Sequence, residues 1–209
     1  MKSLIMHVNY CEQGQSIEEI CQKAVDWGFH GVEFRRLRRS IAESREEYLN
    51  AIATGVERSG LKQVLFGGPG PNLMSSDPAV RANEIKDYAE FFRAASQRFN
   101  LTVINASTGI LRNPDPNIPS ADYSKHGSSV AIEDHWAWAV EGYKIIGSLA
   151  EELGFCFAFE IHMNYLHDLP SSTKKLIDLI NSPAVGANLD YGNVVYFPGI
   201  PSLKDSIDE

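Results

Sequence analysis

Basic residues are scarce in this chain: 19 Lys and Arg stand against 27 Asp and Glu in 209 residues, a formal net charge of −8. Non-specific binding to nucleic acid draws on many phosphate contacts, so no nucleic-acid partner is expected. Cysteine is scarce too. Cys11, Cys21 and Cys156 show neither metal-ligand spacing nor a disulfide framework, which points to a reducing cytoplasm. Cys156 reads as a small core residue opening a buried strand. No apolar run approaches membrane-spanning length, and the first seven residues lack the apolar core of a signal peptide; no membrane partner is expected. Dinucleotide and P-loop fingerprints are also missing. The first strand–helix turn reads Asn9-Tyr-Cys-Glu-Gln-Gly-Gln-Ser16, and Gly67-Gly-Pro-Gly70-Pro-Asn72 lacks the third glycine and the Lys-Ser/Thr ending. That glycine-rich stretch is expected to be a rigid turn bringing backbone close to a ligand or a neighbouring loop.

What the chain does have is alternation. A hydrophobic content of 44% with 10% aromatics describes a folded globular protein, and no linker divides it, so residues 1–209 read as one domain. Hydrophobic period and turn signals place strands at 4–8, 31–35, 63–66, 102–105, 156–162 and 185–190. Helices are expected at 16–27, 45–59, 79–99, 133–153 and 171–180. Ser16 with Glu19 makes a capping box, Ser171-Ser-Thr precedes the fifth helix, and Gly28, Gly60 and Gly154 sit where C-caps belong. Strict alternation implies an α/β fold of parallel strands joined by right-handed crossovers. The longest irregular stretch, 107–130, leaves the fourth strand where ligands bind in such folds; a lid and a passive surface loop are both open readings. Arg35-Arg36-Leu37-Arg38-Arg39 reads as a solvated strand-to-helix loop, with contact to a substrate phosphate as the alternative.

Two strands turn acidic only at their C-terminal ends: Phe157-Ala-Phe-Glu160-Ile-His162 and Val185-Gly-Ala-Asn-Leu-Asp190. Side chains alternate along a strand, so Ala158, Glu160 and His162 share one face, as do Gly186, Asn188 and Asp190. Buried carboxylates need a partner, and a divalent cation is the obvious one. Polar residues close other strands as well, namely His7 and Asn9, Glu33 and Arg35, Asn105 and Ser107. Such a ring of polar strand endings favours a barrel over an open sheet, because catalytic groups in a barrel gather at the C-terminal ends of its strands.

These residues resemble the sugar phosphate isomerase/epimerase family, the xylose isomerase-like TIM barrels that include the endonuclease IV type. The resemblance is carried by Ser16-Ile-Glu-Glu-Ile with Trp27-Gly-Phe-His-Gly-Val-Glu33, by Val103-Ile-Asn-Ala-Ser-Thr-Gly109, by Phe159-Glu-Ile-His162 and by Gly186-Ala-Asn-Leu-Asp-Tyr-Gly-Asn193. It implies a TIM (β/α)8-type barrel, here expected to stop after about six strand–helix units, as a truncated product or fragment. It also implies a divalent metal, with Glu160 and Asp190 as the first two ligands and Glu160 as the catalytic acid–base group. The family's third and fourth ligands, a His and a Glu, have no counterpart, and Glu209 lies in an amphipathic helical setting. His162 and Asn193 fall where the family places substrate-contacting groups. Glu33, His7 and Asn105 are further candidates for substrate binding.

Mixed carboxylate and imidazole ligands favour Mn²⁺, with Mg²⁺, Co²⁺ or Zn²⁺ as alternatives. The activity so implied is isomerisation or epimerisation of a sugar or sugar phosphate by proton abstraction next to a carbonyl. Keto-polyol dehydration, an endonuclease IV-like phosphodiesterase and an inactive fragment remain as alternatives. Open strand edges would favour a homo-oligomer. Trp136 and Trp138 read as packing residues, and His30, His126 and His167 as surface or loop groups.

Overall fold

The computed structural model describes residues 3–7, 9, 14–38, 41–197 and 204. Val8, Cys11, Arg39 and the expected helical segment from 202 onward, apart from residue 204, lie outside these described residues. Six strands, β1 (Ile5–His7), β2 (Gly31–Arg35), β3 (Gln63–Gly67), β4 (Val103–Ala106), β5 (Cys156–Glu160) and β6 (Val185–Asn188), form one sheet in the order 1-2-3-4-5-6. Every pairing is parallel. A doubly wound sheet reverses its strand order at a switch point; this sheet never does. Unbroken sequential order is the winding of a barrel wall, with all C-terminal strand ends along one rim.

Helices α1 (Ile17–Asp26), α2 (Arg45–Ser59), α3 (Pro78–Ser96), α4 (Glu133–Leu153) and α5 (Pro170–Ile180) fill the crossovers. A four-residue helix, α6 (Tyr191–Val194), follows β6 and has no counterpart in the sequence reading; it is too short to show periodicity. The Ser16–Glu19 capping box forms as expected, with Ser16 N–H donating to Glu19 Oε2 at 2.7 Å. Gly60 and Gly154 close α2 and α4 in the left-handed region. The fifth helix begins earlier than expected, at Pro170, so the serines sit in its first turn, where Ser172 Oγ accepts from Leu169 N–H. Both acidic strands are shorter than expected: β5 stops at Glu160 and β6 at Asn188, which places His162 and Asp190 in the loops beyond.

The core lies between sheet and helices and is rich in rings. Phe157 packs against Tyr88, Phe92, Tyr143 and Phe155 at centroid distances of 5.6, 5.5, 6.1 and 5.2 Å. Cys156 departs from its expected place: it is exposed. Among the described residues no helix is long and apolar enough to cross a membrane.

The arginine cluster is not a solvated loop throughout. Arg36 is only 3% exposed, bonded to Asp87 Oδ2 at 2.6 Å and to the Pro69 carbonyl at 2.9 Å, with its guanidinium over the Tyr88 ring. Buried cations need such partners. The bond to Pro69 holds the glycine-rich turn after β3, while Gly70 N–H donates to Ser107 Oγ in the loop after β4 at 3.3 Å. That turn therefore meets a neighbouring loop, as its sequence suggested.

The 107–130 stretch is fastened to the body. Leu111 N–H donates to the Asn164 carbonyl at 2.8 Å and Gly127 N–H to the Leu111 carbonyl at 2.9 Å. Two short 3₁₀ turns, at Tyr123–Lys125 and Gly127–Val130, lie within it. His126 lies in this loop, as expected, but is buried; its Nδ1 accepts from Asn113 N–H at 2.9 Å and its Nε2 donates to the Pro119 carbonyl at 2.9 Å. Buried Asp168 accepts from Ser128 N–H at 3.0 Å and from Ser172 Oγ at 3.1 Å. Burial pushes its carboxyl above the usual range.

Candidate active site

The C-terminal rim opens into a cleft of about 440 Å³ lined by His7, Asn9, Arg35, Asn105, Ser107, Glu160 and His162, among others. A cavity of this size suits a small molecule, and its lining gathers most of the polar strand endings noted in the sequence, Glu33 and Asp190 not among them.

Glu160 ends β5, and its carboxylate is gripped from two sides. Asn105 Nδ2, from β4, donates to Oε2 at 2.5 Å, and Asn193 Nδ2, from α6, donates to Oε1 at 3.3 Å. The Asn193 amide also reaches the Ile161 carbonyl at 3.0 Å, which orients it. Glu33, from β2, is the second carboxyl of the site. Its Oε1 lies 3.4 Å from Asn105 Nδ2 and 3.7 Å from His7 Nε2. Its seat exists because β3 ends in glycine, two residues past Leu65, the register partner of Glu33: a Cβ on Gly67 would stand 2.2 Å from Glu33 Oε1. Burial pushes the Glu33 carboxyl up, and the Glu160 charge adds to this; His7, the Asn105 hydrogen bond and Arg35 oppose it. Asn105 thus bridges two carboxyls with one amide, and its own Oδ1 is buried without a partner. Amide orientation follows from the flanking acceptors, since both neighbours call for an N–H.

His162 and Asp190 stand further from this core. His162 lines the cleft beyond the strand, with Nδ1 3.0 Å from the Met163 carbonyl and its ring edge-on to Tyr165. Asp190 is the N-cap of α6, with Oδ1 accepting from Asn193 N–H at 3.3 Å. Among the described residues, no three His, Cys, Asp or Glu side chains come together in a group able to hold a metal ion. Glu160 and Asp190 are two carboxylates, and both oxygens of Glu160 accept from amides; the described residues do not form a complete divalent-ion cage.

Sequence reasoning missed His167. It lies in the loop between β5 and α5, one of the two places expected for it, but is fully buried there and not at the surface. Its Nε2 accepts from Thr108 N–H at 3.3 Å, which leaves the proton on Nδ1 to donate to the Glu160 carbonyl at 2.6 Å. Burial holds its pKa down to about 3. The unfolded chain takes up this proton near 6.5 and the folded chain only near 3, so stability falls as pH drops through that window. Between pH 7 and pH 5 the loss from this one group is about 2 kcal/mol. Urea denaturation at the two pH values should show it in the wild type, with a correspondingly smaller loss in His167→Phe. An equal pH dependence in both proteins would count against it.

A family model for xylose isomerase-like TIM barrels matches residues 21–208. The chain belongs to that family. Solved structures place it among the same folds. A D-psicose 3-epimerase crystallised in the presence of D-fructose superposes with a TM-score of 0.75 at 18% identity, over 99% of this chain and 69% of that one. A 3-keto-D-glucoside 4-epimerase from E. coli gives 0.73 at 14% identity, over 99% and 74%. A xylose isomerase-like barrel protein from Mycobacterium smegmatis, in complex with magnesium, gives 0.73 at 14% identity, over 100% and 72%. At such identities the likeness shows the fold. No curated protein sequence matches the chain.

Proposed function

We propose that this xylose isomerase-like barrel protein is an isomerase or epimerase of a sugar or sugar phosphate, acting by proton transfer at a carbon next to a carbonyl. The observation that carries the reading is the Glu160 carboxylate, held by Asn105 and Asn193 at the C-terminal rim of a polar cleft. A general base must be fixed within reach of the proton it takes, and two amide donors from separate elements do that for Glu160.

Glu160 takes the C–H proton, and the electron pair moves into a C=C bond as the carbonyl oxygen gains a proton, giving an enediol. Glu33, whose carboxyl burial raises, is the proton donor to that oxygen. Burial disfavours the charged form of a carboxyl and so favours the form that can donate a proton. Return of the proton from Glu160 to the neighbouring carbon on the same face, as Glu33 takes the hydroxyl proton from the first carbon, gives the isomer. The epimer requires a second acid that protonates the same carbon from its other face while Glu33 takes back the proton it gave to the oxygen. His7, Asn105, His162 and Asn193 supply hydrogen-bonding groups for the sugar hydroxyls.

Glu160 and Asp190 are also the carboxylates that would meet a divalent ion, Mn²⁺ or Mg²⁺, which when bound would polarise the substrate carbonyl. The test is incubation of the full chain in D₂O with D-fructose, D-psicose and their phosphates, followed by NMR. Deuterium beside the carbonyl of at least one ketose is expected. No incorporation into any of them, with Mn²⁺ or Mg²⁺ added, would overturn the reading.

A further inference from the structure

We infer that His167 is a positioning residue for Glu160: its imidazole ties the end of β5 to the loop leaving β4 and so sets where the Glu160 carboxylate stands. The ladder between these strands ends at the pair Ala106 and Phe159, one residue short of Glu160. On its other side Glu160 is still held, through its register with Asn188 and the 3.1 Å bond from Ile161 N–H to the Asn188 carbonyl. Facing β4, no ladder bond remains, and His167 takes over. It donates to the carbonyl of Glu160 itself and accepts from Thr108 N–H, three residues past Asn105.

The bridge spans the same two strand ends that the side-chain bond from Asn105 to Glu160 spans at 2.5 Å. A change in one separation moves the other. The ring has little freedom to turn, since it stacks on Tyr165 at 5.2 Å and 24° and leans on Phe159 at 4.9 Å. Tyr165 itself lines the cleft. His167 is thus held by aromatic faces and by two backbone bonds, and its own chain segment closes the β5–α5 connection.

The catalytic consequence rests on Glu160 being the base, whereas the positioning is read independently of activity. Three variants separate the contacts. His167→Phe keeps the aromatic packing and loses both bonds. His167→Asn places an amide nitrogen where Nδ1 stands and keeps the bond to Glu160. His167→Gln reaches toward Thr108 and loses the other. In ¹⁵N-labelled protein, the side-chain NH₂ signals of Asn105 should shift in all three variants, because loss of either bond cuts the tie between the two strand ends. Thr108 amide exchange should speed up in His167→Phe and His167→Asn. Asn105 signals that stay in place in His167→Gln or His167→Phe would overturn the inference, even with faster Thr108 exchange. Should His167→Phe not fold, the Asn and Gln pair still decides.

With a ketose that the wild type turns over, His167→Gln should lose on the order of 10- to 100-fold in kcat with little change in KM, as displacement of a reacting group by about 1 Å does. His167→Asn, which cuts the same tie at its Thr108 end, should lose a comparable factor. A wild type inert toward every ketose tested would sink the functional reading and leave the NMR result standing.

Discussion

Glu160→Gln is expected to lower proton exchange into the ketose substrate by roughly 10²–10⁴-fold, the span usual for loss of a general base. Gln matches Glu in size, so packing around β5 is preserved. Its amide cannot take a proton from carbon, and its NH₂ must face one of two donors, Asn105 Nδ2 or Asn193 Nδ2. The effect should fall on kcat, because the substitution leaves the cleft's hydroxyl-binding groups in place. Thermal melting should remain close to wild type. Exchange within about threefold of wild type would remove Glu160 from the chemistry, since even a modest general base contributes far more than that.

Phe157→Ala should cost about 3–5 kcal/mol of stability, the range for deleting a buried phenylalanine. Phe157 is fully buried and meets four other rings, contributed by α3, α4 and the residue before β5. No small side chain can bridge that span, and the surrounding rings are too stiff to collapse into the space. A domain typically holds only about 5–15 kcal/mol in total, so the variant loses a large part of its margin. Urea denaturation measures this directly; Phe157→Leu should retain more than half of the lost stability, and a loss under about 1 kcal/mol in the Ala variant would contradict the packing argument.

Much of the fold was legible because its signals are local. The Ser16–Glu19 box and the closing glycines Gly60 and Gly154 announce helix ends within a few residues, and the strand cores fall within a residue or two of their expected places. Polar strand endings such as Glu33, Asn105 and Glu160 were legible as a set because parallel winding puts every C-terminal end on one rim. Less legible were residues whose partners lie far away in sequence. Arg36 looks like one member of a basic run until Asp87 and Tyr88 are brought to it. His126 and His167 look like loop histidines, and burial depends on how their loops pack. Cys156 follows the same logic in reverse: it begins a buried strand, yet its own position is exposed.

The sequence by itself determined the alternating parallel fold, the family and the acidic end of β5, because period, caps and short motifs are written in neighbouring residues. Tertiary structure alone decided what the acids do next to one another. It put Asn105 between Glu33 and Glu160, cleared room for Glu33 with Gly67, turned Asp190 into a helix cap and set His167 beneath Glu160. Each of these is a meeting of side chains from different strands, whose separation is fixed by register and packing and not by spacing along the chain.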